Sequence, residues 1–262
     1  MGMTMAMMAL WWSPVVGLQG LALKEATFRG QSTPYFLGGP PSKKTSVVLV
    51  HGFGSSARQW RALAPAIAEE RRVYAVNLLG LGDAEKPKDL DFSIELWAEQ
   101  VAAFVEDVVV GDCVLVGNSL GSVVALRAAQ MMRPGVKGLG LFNCAIGMNS
   151  KAPPLNWREA LRFPQATLAR PLFALIDLLL LDSTIASYFF DNVATRANVE
   201  TVLRNGVYRN AARVDDDLVD LFLRPAGDDG ALEAFVKIFT GDPGPRPEVL
   251  AETLDDDDGD GG

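Results

Sequence analysis

The stretch that most constrains this chain is residues 114–122, VLVGNSLGS, where an apolar run stops at Gly117 and Ser119 stands between two glycines. An apolar strand, a G-x-S-x-G turn and a helical pattern in immediate succession imply a turn so tight that the residues beside the serine must be small. Such a turn lifts the hydroxyl to the end of a sheet. The five-residue pattern carries that meaning only in its context. Here residues 113–116 are apolar and largely β-branched after the turn residues Gly111 and Asp112, and residues 120–132 contain no helix breaker before Pro134. A serine hydroxyl is a weak nucleophile at its own pKa, so chemistry at Ser119 calls for a hydrogen-bonded base, ordinarily a histidine held by a carboxylate. The chain contains one histidine, His51.

Strand and helix patterns alternate around the serine. Residues 46–50, SVVLV, are continuously apolar after the first position, the mark of a strand buried on both faces of a parallel sheet. They lead into His51, Gly52, Phe53 and Gly54, then Ser55, Ser56 and a helical pattern through Trp60, Leu63, Ile67 and Ala68. A second strand at 73–76 precedes the glycine-rich loop NLLGLGDAEKP, residues 77–87. Ser93 is placed to cap a helix whose apolar face carries Ile94, Trp97, Ala98, Val101, Val105 and Val108. The third strand carries Ser119, and a fourth is expected at 136–143. This β-α-β-α-β-α-β order predicts a doubly wound parallel sheet whose ligands bind beyond the carboxyl ends of the strands. Upstream, residues 21–28 and 34–37 flank Gly30 and Gln31 and read as an antiparallel hairpin leading into that sheet.

After residue 145 the strand rhythm gives way to helical spacing around 156–168, 171–181, 183–190, 197–205, 215–223 and 230–239, with Pro171 at a first helical position and Asp215 as a cap. The stretch 172–181, LFALIDLLLL, is too short to span a bilayer and is interrupted by Asp177. It reads as a packed helix, with an apolar lid wall facing a hydrophobic substrate as the alternative. The organisation is thus an N-terminal extension at 1–20, an α/β core at 21–148, an all-helical cap at 149–240, and a linker with an acidic disordered tail at 241–262.

Composition excludes several classes. A length of 262 residues with 49% apolar side chains is ample for a buried core. A net charge of -8 without a basic patch argues against nucleic acid as a partner. Cys113 and Cys144 both fall at expected sheet positions and read as buried free thiols, not as a disulfide or a metal site. The uncharged, Met- and Trp-rich N-terminus lacks the basic region of a secretory signal, and Pro14 and nearby glycines spoil a membrane span of about 20 apolar residues. No transmembrane segment, cofactor or metal is expected.

The motifs HGFGSS, NLLGLGDAEKP and GNSLGS, each following a parallel strand, resemble the α/β-hydrolase fold superfamily. The segments VLVHGFG and VLVGNSLGS, the cap helices and the GALEAF…TGDPGPRP stretch are similar to the pheophytinase-like hydrolases of plants, algae and cyanobacteria, over about residues 21–250. The resemblance implies an α/β-hydrolase fold, with a doubly wound, mostly parallel sheet and an inserted helical cap. It implies Ser119 as nucleophile, the backbone N–H groups of Phe53 and Leu120 as oxyanion hole, and His51, Gly52 and Asn118 in support. His51 then fixes the oxyanion loop, while Asn118 either contacts substrate or satisfies turn backbone. The implied activity is hydrolysis of an ester of a small apolar molecule, dephytylation of a chlorophyll derivative in particular, with a chloroplast location. Carbon-carbon bond hydrolysis is an alternative, because GNS-type elbows also occur in hydrolases of ring-fission products, and a non-catalytic ligand-binding relative is another.

Such enzymes carry an acid and a histidine after the cap. Neither is found here, Asn77 stands where relatives commonly have aspartate, and Ala84 where they have serine. The expectation is a chain truncated before its last strands and helix, hydrolytically inactive as it stands, with the fourth strand left as an aggregation-prone edge.

Overall fold

A computed structural model of the chain describes residues 18, 20–41, 44–144, 157, 171, 174–242 and 244–255. The continuous apolar runs become the central strands, β5 (Ser46–Val50) and β6 (Val73–Val76), whose residues are nearly all buried. Ahead of them lie β1 (Ala22–Lys24), β2 (Thr27–Phe28), β3 (Gln31–Ser32) and β4 (Tyr35–Gly38); after them come β7 (Cys113–Asn118) and β8 (Val136–Phe142). One six-stranded sheet runs in the order β1-β4-β6-β5-β7-β8. Its β6-β5-β7-β8 part is parallel, and β1 and β4 extend it antiparallel. The expected hairpin is thus present as β1 with β4, and the turn at Gly30 closes a separate two-stranded ladder of β2 and β3 nested within it.

Successive residues of a strand face opposite sides, so β5 feeds two apolar layers. Val48 and Val50 join Trp97, Val101, Leu115 and Val124 beneath the helices α2 (Ile94–Phe104) and α3 (Leu120–Met131). Val47 and Leu49 join Phe36, Trp60 and Ala64 on the other face, beneath α1 (Leu63–Ala68). Ser93 caps α2 by accepting the Leu96 N–H at 3.2 Å, which places Trp97 and Val101 inward as the spacing predicts. The chain leaves β5 for β6 on one side and then crosses to β7 on the other, so the ends of β5 and β7 form the switch point of the winding.

In the described part of the cap, α4 (Ser183–Val193), α5 (Arg196–Val202), α6 (Asp216–Leu223) and α7 (Ala231–Thr240) follow the helical residues 174–180. Asp182, Thr195 and Asp215 cap the first three through side-chain oxygens. Leu203, Val214, Leu218, Val219 and Leu221 make a small core of their own. Most of the helix expected at 156–168, most of the N-terminal extension and most of the acidic tail lie outside the described residues.

Two expectations are corrected. Residues 241–262 are not linker and tail throughout: Pro247–Asp255 forms α8, packed on α3 through the buried Leu250, with the Gln130 side chain donating to the Leu250 carbonyl at 2.9 Å. Pro247 presets the first helical turn, and Leu250 and Leu254 supply the apolar face. Cys144 is not a sheet residue, because β8 ends at Phe142; it is a half-buried thiol two residues beyond, whereas Cys113 is buried in β7. Among the described residues β8 pairs only with β7, and it leaves Leu141 and Phe142 exposed.

Candidate active site

Ser119 sits between β7 and α3 with φ 53° and ψ −119°, a left-handed conformation that a non-glycine residue adopts at a cost of about 1–3 kcal/mol. The surroundings enforce it. A Cβ on Gly117 would lie 2.2 Å from the Gly121 carbonyl oxygen, and one on Gly121 would lie 2.3 Å from that of Val50, so only glycine lets α3 start this close to β5. The Ser119 N–H donates to the Phe142 carbonyl at 2.9 Å, and the same oxygen accepts from Ser122 Oγ at 3.1 Å and Asn118 Nδ2 at 3.5 Å. A serine at a helix N-cap ordinarily spends its hydroxyl on the first-turn N–H groups. Ser119 makes no such bond, so the half-buried hydroxyl stays available at the positive end of α3.

The loop after β5 lies against this turn: a Cβ on Gly52 would stand 3.2 Å from the Asn118 carbonyl oxygen and from Ser119 Cβ. Among the described residues neither the Phe53 N–H nor the Leu120 N–H donates a backbone hydrogen bond in a turn, loop or cap. Leu120, first in α3, has no acceptor within its helix.

His51 is fully buried and its ring is spent on the backbone. The Leu78 N–H donates to Nε2 at 3.1 Å, which leaves that nitrogen unprotonated and puts the ring hydrogen on Nδ1, donating to the Gly52 carbonyl at 2.8 Å. Burial pushes its pKa down to about 4, only partly opposed by the Gly52 carbonyl and Asp83, so the ring is neutral at pH 7. His51 therefore ties the loop after β5 to the loop after β6. Asn77 reinforces the tie, accepting the Ala57 N–H at 2.9 Å and the Asp83 N–H at 3.3 Å, and donating to the Pro34 carbonyl at 2.8 Å. Gln100 closes the network, accepting the Leu79 N–H and donating to the Asn77 carbonyl, both at 2.9 Å.

Cap and core meet over this loop. Phe235 of α7 lies 6.2 Å from the Phe53 ring, 5.2 Å from Phe190 and 5.6 Å from Phe239, centroid to centroid. A cleft of about 80 Å³ opens beside the loop after β5, walled by Phe53, Leu81, Phe190, Phe222 and Phe235; Ser119 lies outside its lining. Ion pairs pin the cap's edge: Arg58 and Arg224 both reach Asp83, Lys86 reaches Asp228 at 2.7 Å, and Arg61 reaches Asp215 at 2.9 Å.

Of the residues singled out from sequence, Ser119, Leu120, Asn118 and Gly52 come together, Phe53 follows Gly52 in the same loop, and His51 ties that loop to the one after β6. Sequence reading did not find Asn77 and Gln100 as network members, nor Gln59, which accepts the Gly52 N–H at 3.2 Å. Gln100 had a signal, as a polar residue one turn from Trp97 on the buried face of α2. Gln59 had none.

A model of the Alpha/beta hydrolase family matches residues 47–256. A 2-hydroxymuconate semialdehyde hydrolase of Pseudomonas sp. strain CF600 is 30% identical over 102 residues, covering 38% of this chain and 36% of that protein. A pimeloyl-[acyl-carrier protein] methyl ester esterase of Aeromonas hydrophila is 36% identical over 83 residues, 32% of this chain and 31% of the esterase. These matches span about a third of each relative's length. Among solved structures, Cfl2 of Burkholderia cenocepacia superposes with a TM-score of 0.67 at 25% identity, covering 91% of this chain and 76% of that one.

Proposed function

Because the chain belongs to the alpha/beta hydrolase family, we propose that it presents the nucleophilic half of a serine hydrolase for an ester of an apolar molecule. The observation that carries this reading is the strained Ser119 at the start of α3 with its hydroxyl withheld from capping. In the proposed reaction Ser119 Oγ attacks the ester carbonyl, and the carbonyl oxygen becomes an oxyanion that accepts from the N–H groups of Phe53 and Leu120. A preorganised donor of this kind is worth about 2.7–4 kcal/mol of barrier. The alcohol departs with a proton, and water then hydrolyses the acyl-serine. The apolar cleft walled by Phe53, Phe190 and Phe235 takes the apolar part of the substrate. The likeness to pheophytinase-like enzymes narrows that part to a phytyl-type chain.

The step this chain supports least is removal of the serine proton. Its one histidine has both ring nitrogens engaged with backbone and is neutral at pH 7. Turnover of a neutral ester by this chain is therefore expected near background. Binding of phenylboronic acid, which takes the serine oxygen onto boron and mimics the tetrahedral intermediate, tests the nucleophile separately from turnover. Saturable binding that is lost in Ser119→Ala supports the reading; equal binding by both proteins contradicts it. Carbon-carbon bond hydrolysis at the same serine is a second reading, favoured by the likeness to the 2-hydroxymuconate semialdehyde hydrolase. Binding of a ring-fission dienoate in preference to a phytyl ester distinguishes it.

A further inference from the structure

We propose that Gln59 is a positioning residue for the oxyanion donor Phe53, an inference that rests on the reading of Ser119 and Phe53 given above. Two consecutive peptide groups meet at the Gly52 Cα, and a side chain holds each. The N–H of the first donates to Gln59 Oε1 at 3.2 Å, and the C=O of the second accepts from His51 Nδ1 at 2.8 Å and from the Ser55 N–H at 3.3 Å. In a trans peptide the N–H points opposite to the C=O. Holding the Gly52 carbonyl toward His51 therefore aims the Phe53 N–H the other way, and the rotation left to the unit is about the two soft dihedrals of Gly52. Glycine has the widest backbone freedom of any residue, and a Cβ on Gly52 would be crowded at 3.2 Å by the Asn118 carbonyl oxygen and Ser119 Cβ. His51 alone fixes one side of that joint. The Gln59 acceptor fixes the other.

Gln59 is suited to this because its own position is over-determined. It lies in the 3₁₀ turn Ala57–Trp60, which is capped by Ser56 accepting the Arg58 N–H at 3.3 Å. The turn is anchored to the loop after β6 by Asn77 Oδ1 accepting the Ala57 N–H at 2.9 Å, and by Arg58 pairing with Asp83 at 3.0 Å. The Arg58 guanidinium also lies 4.8 Å over the Phe36 ring. A flexible amide side chain on a rigid turn thus sets the direction of a catalytic donor without touching substrate.

The test uses the intact chain, phenylboronic acid as probe, and the variants Gln59→Leu and Gln59→Glu. Leucine keeps the volume and removes the acceptor; glutamate keeps an acceptor at the same reach. Gln59→Leu is expected to weaken boronate binding about fivefold and to speed Gly52 amide hydrogen exchange by a similar factor, the scale of one hydrogen bond. Gln59→Glu should stay near wild type in both. Unchanged Gly52 exchange and boronate affinity in Gln59→Leu, or equal loss in both variants, overturns the assignment. A wild-type chain that binds no boronate sinks the Ser119 reading instead, so the two failures are distinct.

Discussion

The junction inside the core and the junction between core and cap are both polar, yet they are built differently. Inside the core, His51, Asn77 and Gln100 are buried and neutral, and each donor and acceptor they present to the two active-site loops is matched by a backbone group. Losing one partner of such a bond leaves the other desolvated and unpaired, at about 1–3 kcal/mol. Apart from the buried ammonium of Lys86, which reaches Asp228, the cap is joined to the same loops by exposed charge: Lys88 to Asp229 and Glu233, Arg61 to Asp215. Exposed pairs of this kind contribute little and are screened by salt. The loop after β5 is therefore fixed by the rigid junction, while the wall of the cleft that faces it is carried on the softer one.

The sharpest way to break this contrast is at the elbow. Gly121→Ala drives a methyl group to 2.3 Å from the Val50 carbonyl oxygen, backbone that cannot yield. It should cost about 3 kcal/mol or more, read as a lowered urea midpoint or loss of cooperative unfolding. An unchanged midpoint contradicts the close packing of α3 on β5.

A smaller effect comes from pH. The folded pKa of His51 is about 4, below the ordinary 6.5, so the unfolded chain takes up its proton first. Stability is complete above pH 6.5 and falls as the pH drops toward 4. Over the window from pH 7 to 5, above the range where carboxylates titrate, the loss should be about 2 kcal/mol, at 1.36 kcal/mol per unit. With one histidine in the chain, urea melts across that window isolate the effect, and a flat profile contradicts the neutral buried ring.

The smallest effects sharpen the comparison along the seam itself. Lys86 is 4% exposed and its ammonium donates to the carbonyls of Gly82 and Ala84 as well as to Asp228, whereas Lys88 is 53% exposed. Lys86→Met should cost about 1–2 kcal/mol and resist added salt. Lys88→Met should leave the urea midpoint unchanged. Equal effects at the two positions contradict the distinction between the buried ammonium and the exposed pair.

The elbow and the parallel strands were legible in the sequence because their physics is local. VVLV (47–50) and CVLV (113–116) are continuous apolar runs, Gly117 and Gly121 are required by close approach, and Ser93 and Asp215 cap the helices expected of them. What escaped was set by contacts between distant segments. Gln59 faces Gly52 because a 3₁₀ turn folds back, and Asn77 meets Pro34 and Ala57 across loops that only the finished sheet brings together. α8 was missed because nine residues with two inward leucines look like a tail until α3 is there to cover them. Phe235, the centre of the cap's aromatic cluster, follows helical spacing like any packed phenylalanine.

In the proposed reading Ser119 is presented for attack beneath the Phe53 and Leu120 N–H groups, and among the described residues no histidine hydrogen-bonds to its hydroxyl. Imidazole in the buffer can supply an acceptor for its proton. Hydrolysis of p-nitrophenyl butyrate at pH 7.5, measured for the wild type and for Ser119→Ala over a series of imidazole concentrations, should run near background for both without imidazole. With imidazole it should rise saturably above the Ser119→Ala line in the wild type alone. Enzyme-like turnover without imidazole that Ser119→Ala abolishes, or identical lines for the two proteins at every concentration, contradicts it.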